Sequence, residues 1–468
     1  MKEKFIKSTI ILTIGGFLTK ILSMLIRILM TRVIGIDGIG LYMLVMPTFN
    51  LLITLSSLSM PLAISKIVSE DNRNNKRLVL GIIPISLFIN ILIILVVIFL
   101  APFIADKLLH NRLLFYPIIS CSITLPFISL SGILRGYFFG KQKMIPSVVS
   151  NLFEQLVRIV LILFVVPKLM IYSIEYVICG LILSNICSEF ISIIVLILYL
   201  PKKIIIKKRD IVPDFKNVKD IFLISVPTTA GRIISSISLF LEPIIITYVF
   251  SKLEYDDNFI IMEYGIITGY VLPIVTLPSF LSGAISNALL PVISNKYQLK
   301  DFKFIKAKIK QAIIFSLLIG ISCTVVILLF PKFLLNFMFK TTTGVNYLIF
   351  SSIIFIISYI SGPIVSTLQA INKADIVMKA SFINMFFKNI SLFILCFLNI
   401  GMYALIISYF ISYLFTTFYE IKKIREVIKW LLLLFNFFYF LFYTVTVLSW
   451  VVIMKADLWH FSYIYSFW

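Results

Sequence analysis

The sequence predicts an all-α protein that crosses a membrane many times, and two observations carry this prediction. Of the 468 residues, 60% are hydrophobic and only 13% are charged, whereas about 25% of the residues in ordinary soluble domains are charged. The apolar residues also fall in long runs bounded by charge clusters. Because a transmembrane helix needs roughly 20 apolar residues, these runs could fill roughly 12 to 14 spans. This composition disfavours a soluble, disordered or nucleic-acid-binding protein.

Thirteen apolar runs follow one another along the chain. Their approximate bounds are 8–34, 40–65, 79–104, 113–139, 147–171, 175–200, 220–250, 262–294, 311–331, 346–371, 380–399, 402–420 and 430–453. The first run is too long for the apolar part of a signal peptide, so we expect it to be an uncleaved first span. The connections are short, and none is large enough to fold as a soluble catalytic domain.

The basic residues predict the orientation in the membrane. Most of the 42 lysines and arginines lie in connections on the same side as the N-terminus, including 202–219 and 296–310. Because cytoplasmic loops carry the excess of basic residues, the sequence predicts a multi-pass protein of the cell membrane with a cytoplasmic N-terminus. The same asymmetry accounts for much of the net charge of +21 without a nucleic-acid partner.

A weak internal repeat divides the predicted spans into two halves. Thr19–Ser23 resembles Gly231–Ser235, and Pro61–Ser65 resembles Pro291–Ser294. With six spans each, both halves begin on the same side of the membrane, as in parallel-repeat transporters. We therefore expect two six-helix lobes related by a pseudo-two-fold axis along the membrane normal, plus one or two C-terminal helices. The predicted domains are an N-terminal lobe at 1–200, a cytoplasmic linker at 201–219, a C-terminal lobe at 220–420 and a C-terminal extension at 421–468.

Charged residues inside the predicted spans are the candidate site. A charge near the middle of a membrane costs about 2.5–3.5 kcal/mol, so such residues indicate a polar interior. The basic ones are Lys20, Arg27, Arg135, Arg158, Arg232 and Lys388, and the acidic ones are Glu154, Glu189 and Glu242. The excess of positive charge favours an anion such as a phosphate or diphosphate, which arginine and lysine bind well. The three acids could instead couple transport to a proton or sodium ion.

Helical spacing separates these residues further. Lys20 and Arg27 share one face of the first span with small and polar residues, which favours a cationic stripe along a cavity. Glu154 and Arg158 are four residues apart, so they could pair with each other or Arg158 could face the cavity. Lys388 has no acid within one helical turn and is the better candidate for a substrate contact.

The sequence gives little support for metal, cofactor or enzyme chemistry. The two histidines, His110 and His460, lie outside the apolar runs, and no cysteine pair has the spacing of metal ligands. No Ser–His–Asp arrangement or paired carboxylate stands out in an outer loop. We therefore expect no metal site, no cofactor and no enzymatic activity.

Two stretches of the chain follow the sequence pattern of a known family. One runs from Thr19-Lys20-Ile21-Leu22 through Arg27 to Gly38-Ile39-Gly40-Leu41-Tyr42. The other, more specific, joins Arg135-Gly136-Tyr137-Phe138 to Glu154-Gln155-Leu156-Val157-Arg158. Both resemble the stage V sporulation protein B family, which belongs with polysaccharide and lipid II flippases and with multidrug exporters. The resemblance covers about residues 5–420 and implies two six-helix lobes that work by alternating access. The family usually has fourteen spans, whereas here only 430–453 follows the second lobe, and the aromatic end 459–468 is too short to cross.

The resemblance also implies a function. It implies export of an undecaprenyl-diphosphate-linked sugar, such as lipid II or a polysaccharide unit, for cell-wall, spore-cortex or polysaccharide synthesis. Lys20 and Arg27 match the basic first-span residues that hold the diphosphate in related flippases, and Arg232 is their repeat partner. We expect the partners to be this lipid and the bilayer, and the protein to be a monomer. The alternatives are an ion-coupled multidrug exporter of the same fold and a membrane glycosyltransferase or polymerase.

Overall fold

The computed structural model describes residues 2–69, 75–200 and 212–428, and this part of the chain is helical without any β-strand. The all-α fold class predicted from the apolar runs is therefore confirmed. The helices are α1 (Lys2–Ser57), α2 (Met60–Ser69), α3 (Asn75–Pro102), α4 (Phe115–Gly140), α5 (Met144–Phe164), α6 (Val166–Leu169), α7 (Ile174–Leu198), α8 (Phe215–Lys252), α9 (Asp257–Gly265), α10 (Leu272–Thr276), α11 (Ser279–Gln298), α12 (Phe302–Leu329), α13 (Pro331–Phe339), α14 (Val345–Ile354), α15 (Ser358–Ala370), α16 (Ala374–Cys396) and α17 (Tyr403–Ile428). Short π or 3₁₀ turns join several of them.

Among the described residues, 11 helical segments are long and apolar enough to cross a membrane. Nine of them each contain one predicted span or its larger part, Asp257–Thr276 contains the first part of the predicted span 262–294, and Ile14–Ser69 contains most of the first two predicted spans. The protein is thus a multi-pass membrane protein. The predicted thirteenth span at 430–453 and the aromatic end 459–468 lie outside the described residues.

Two of the predicted span boundaries are wrong in detail. The first predicted span and most of the second form one helical run, α1, which has a kink at Gly35 but no connecting loop. The backbone of Gly35 has φ 69° and ψ −170°, a combination that is open essentially only to glycine. The predicted span 262–294 is interrupted at Leu277 and Pro278, so only Asp257–Thr276 qualifies as a membrane span. Hydropathy alone did not reveal the interruption at Leu277 and Pro278, because it lies within apolar sequence.

The described residues form two compact units. The first takes its residues from Met1–Tyr248 and Asp256–Gly265, and the second from Val249–Tyr255 and Ile266–Trp468. This division follows packing, whereas the domains predicted from the sequence follow the count of spans, so the two predicted six-helix lobes and their pseudo-symmetry stay a prediction. Residues 201–211 of the predicted linker lie outside the described residues.

Each unit has its own apolar core. In the first unit, Met60, Ile64 and Phe138 are buried where α2 and α4 meet. The close crossing of α2 on α4 needs a residue without a side chain, since a Cβ on Gly136 would lie 2.5 Å from the carbonyl oxygen of Pro61. In the second unit, α11, α12, α15 and α17 contribute buried aliphatic side chains to a single cluster.

Candidate functional site

A pocket with two arginines lies inside the first unit. It encloses about 520 Å³ of empty space, its open mouth included. Polar and apolar side chains from α1, α5 and α7 line it. The lining residues are Ser23, Ile26, Arg27, Met30, Tyr42, Met46, Arg158, Ile162, Leu181, Ser184 and Asn185. A pocket with two guanidinium groups and neutral polar side chains can hold an anion with apolar substituents.

The kink at Gly35 builds one wall of this pocket. Arg27 and Tyr42 are both half-buried and both line the pocket, although 15 residues of straight helix would separate them by roughly 22 Å. The turn at Gly35 lets the two halves of α1 face the same space. N-terminal to the kink, Ser23 Oγ donates to the carbonyl oxygen of Thr19 at 2.8 Å, so this hydroxyl is satisfied within α1.

Arg158 reaches the pocket from α5 and belongs to a cluster of four charged side chains. Its Nη2 donates to Glu154 Oε1 at 3.0 Å and to Ser188 Oγ at 3.4 Å. The spacing of four residues left this intrahelical pair as one of two options for Arg158; the structure has the pair, and Arg158 lines the pocket as well.

Arg135 completes the cluster from α4. Its Nη2 donates to Glu154 Oε2 at 2.6 Å, to Glu189 Oε2 at 3.4 Å and to Ser192 Oγ at 2.8 Å. The side chains of Glu154 and Glu189 are only 9% and 7% exposed. Two arginines and two glutamates therefore neutralise one another where α4, α5 and α7 pack, which lowers the cost of burying four charges.

The guanidinium groups of this cluster retain unused donors. The Nε atoms of Arg135 and Arg158 are both buried, and neither meets a hydrogen-bond acceptor in the described part of the chain. A buried donor without an acceptor costs about 1–3 kcal/mol. Such a cost is tolerated where a ligand supplies the acceptor, and Arg158 is the one of the two that lines the pocket.

The remaining predicted residues lie elsewhere. Lys20 and Arg232 are exposed on α1 and α8 and do not line this pocket. Glu242 is buried on α8 and accepts a hydrogen bond of 3.0 Å from the hydroxyl of Tyr264. Lys388 belongs to the second unit, where it is 1% exposed and its Nζ lies 4.7 Å from the centre of the Tyr409 ring.

Sequence reasoning overlooked three polar residues of the lining. Ser184 and Asn185 lie within the apolar run of α7, and Tyr42 follows the kink in α1. An amide inside an apolar run could have been picked out by the same criterion that selected the charged residues. Tyr42 could not, because tyrosines are frequent in membrane proteins and most have no role in a site.

Two comparisons with protein families match most of the chain between them. A family model described as "Polysaccharide biosynthesis protein" matches residues 5–297, which is more than half of the chain. The chain belongs to the polysaccharide biosynthesis protein family. A second model, MatE, matches residues 267–393 of this family member.

Relatives of this family member include proteins of Bacillus subtilis (strain 168). The stage V sporulation protein B is 32% identical over 84% of this chain and 78% of its own length. The lipid II flippase MurJ is 23% identical over 80% of this chain and 74% of its own length. Relatives of this kind support a membrane flippase or exporter of polysaccharide biosynthesis, and the resemblance read from the sequence is confirmed.

Solved structures show the same fold. A lipid II flippase MurJ in an inward closed conformation superposes with a TM-score of 0.70 at 17% identity, covering 89% of this chain and 87% of that one. A multidrug resistance MATE family transporter in an inward-facing conformation gives 0.69 at 14% identity, covering 88% and 94%. At these identities the likeness concerns the fold alone.

Proposed function

We propose that the protein translocates an undecaprenyl-diphosphate-linked sugar, either lipid II or a polysaccharide unit, across the cell membrane by alternating access. The observation that carries this proposal is the pocket of the first unit, into which Arg27 and Arg158 both reach. A planar guanidinium group binds phosphate oxygens through two parallel hydrogen bonds, so a pair of guanidinium groups suits the two phosphates of a diphosphate. The relatives' names support the substrate class, since one of them is a lipid II flippase.

The pocket also fits the remainder of such a ligand. Ser184 and Asn185 offer neutral hydrogen-bonding groups next to the arginines, as a sugar requires. The polyprenyl tail would remain in the lipid, because it is as apolar as the bilayer.

Other charged residues of the predicted spans are proposed to take part in transport. The anion would contact three further basic residues along its path, namely Lys20, Arg232 and Lys388. Coupling to a proton or sodium ion would use one or more of the acids Glu154, Glu189 and Glu242. The N-terminus is proposed to be cytoplasmic, which places the basic connections on the side of precursor synthesis.

The test is lipid II translocation by full-length protein in proteoliposomes. Arg27→Ala should lower the rate about tenfold or more, because a hydrogen bond to a charged group contributes about 1.5–3 kcal/mol. Arg27→Lys should retain part of the rate, since it keeps the charge and loses the two-pronged geometry. Arg112→Gln is the matched control, because Arg112 is exposed at the start of a helical run and away from the pocket lining. A full rate for Arg27→Ala would refute the role of the pocket.

The second candidate is an ion-coupled multidrug exporter, which the MatE match over residues 267–393 favours. This function would make the acids the essential residues and leave Arg27 dispensable. Efflux of a cationic dye from the same proteoliposomes under a proton or sodium gradient separates the two. The flippase proposal expects no gradient-driven dye efflux, and dye efflux that survives Arg27→Ala and is lost in Glu242→Gln would replace it with the exporter.

A further inference from the structure

Arg158 takes part in two environments at once. It lines the pocket that also contains Arg27, and it forms an ion pair with Glu154 at 3.0 Å. Its side chain is 23% exposed, whereas that of Glu154 is 9% exposed. The cation is therefore the partner that an incoming ligand can reach, and the carboxylate lies behind it.

The ion pairs are arranged so that Arg158 can move away from Glu154 while the buried Glu154 carboxylate still has an ion-pair partner. Glu154 has a second partner in Arg135, whose Nη2 lies closer to it, at 2.6 Å. Among the described residues, Arg158 has a single acidic partner. If Arg158 moved away, Glu154 would keep its shorter ion pair, and Glu189 would keep its contact of 3.4 Å with the same arginine.

We propose that Arg158 exchanges partners during transport, pairing with Glu154 while the pocket is empty and with the anionic headgroup when the substrate enters. This inference rests on the proposed function and assigns Glu154 a role as the competitor that the substrate must displace. The buried Nε of Arg158, which meets no acceptor in the described part of the chain, becomes the additional donor that a phosphate oxygen satisfies.

The exchange has a consequence for specificity. The pocket lining includes the apolar side chains of Ile26, Met30 and Ile162, and an arginine without a partner beside them would be costly. A ligand must therefore bind Arg158 strongly enough to compensate for the lost ion pair between Arg158 and Glu154. A diphosphate, with at least two negative charges for Arg27 and Arg158, can do so, whereas a monophosphate with fewer charges does so less well. The carboxylate thus raises the selectivity of the pocket for a diphosphate.

The experiment measures binding of undecaprenyl diphosphate and undecaprenyl monophosphate to full-length protein in detergent. Glu154→Gln should bind the diphosphate about three- to tenfold more tightly, because the competing charge is gone. The same variant should discriminate less between the two lipids than the original protein does. Glu175→Gln is the matched control, since Glu175 is a half-buried glutamate in the first turn of α7 that is not part of the pocket lining, and the affinities of this variant should change by less than about twofold.

The outcomes separate this inference from the proposed function. Unchanged or weaker diphosphate binding by folded Glu154→Gln, together with lost binding in Arg27→Gln, overturns the exchange and leaves the pocket as the headgroup site. Absence of diphosphate binding by the original protein overturns both. If Glu154→Gln does not fold, Glu154→Asp, which withdraws the carboxylate by one methylene, takes its place with the same expected direction. Arg158→Gln should weaken binding about tenfold, and binding at full strength in that variant also refutes the exchange.

Discussion

The cations inside the two units have different neighbours. In the first unit, Arg135 and Arg158 are held by carboxylates at 2.6–3.4 Å, and each arginine also contacts a serine. In the second unit, Lys388 is almost completely buried with its ammonium 4.7 Å from the centre of the Tyr409 ring. A ring attracts a cation without supplying negative charge. The first arrangement depends on every member of a charge-balanced cluster, whereas the aromatic contact adds a single modest attraction, and the two should therefore respond differently to substitution.

The largest effect is expected from Arg135→Met in the first unit. This change leaves Glu154 and Glu189 buried with Arg158 as the sole arginine of the cluster, and it should lower the free energy of unfolding by about 3–5 kcal/mol. Denaturant titration in mixed micelles measures the loss. The double variant Arg135→Met/Glu189→Gln should recover part of it, because Glu189, the carboxylate that loses its arginine, becomes neutral. No recovery in the double variant would mean that Arg135 stabilises the fold by packing and not by charge.

A smaller effect is expected from Tyr409→Leu in the second unit. Loss of the ring should reduce stability by about 1–2 kcal/mol, the contribution of a desolvated cation–π contact. Tyr409→Phe retains the ring and serves as the control, with a change of less than about 0.5 kcal/mol. The same titration measures both variants. Equal losses for the two would assign the effect to the hydroxyl and would weaken the contrast between the units.

The smallest effect on stability is expected from Lys388→Met. Removing the ammonium group removes the cost of burying a charge together with its attraction to the Tyr409 ring, and because these two contributions oppose each other the free energy of unfolding should change by less than about 1 kcal/mol. If Lys388 contacts the anion as proposed, lipid II translocation should nevertheless fall several-fold. A loss of stability as large as that of Arg135→Met would show that the two units bury their cations in equivalent ways. Full translocation would remove Lys388 from the site.

Much of the candidate site could be predicted because burial in a membrane penalises charge. This principle selected all four members of the cluster and Arg27 from a chain of 468 residues. The same principle could not tell which of these residues bind the substrate and which pair with one another. Arg135 and Arg158 were grouped with Lys20 as contacts of one diphosphate, yet the structure has Arg135 paired with two acids and Lys20 exposed on α1.

The sequence by itself determined the helical fold, the approximate position of most spans and the pair Glu154–Arg158, because hydropathy and a spacing of four residues act within a single helix. Only the tertiary structure decided that Arg135 reaches Glu154 and Glu189, which are 19 and 54 residues away in the chain. It also decided that Tyr42 faces Arg27 across the pocket, since one glycine with positive φ redirects the helix between them. Contacts between helices depend on how the helices pack, and periodicity along one helix carries no information about its neighbours.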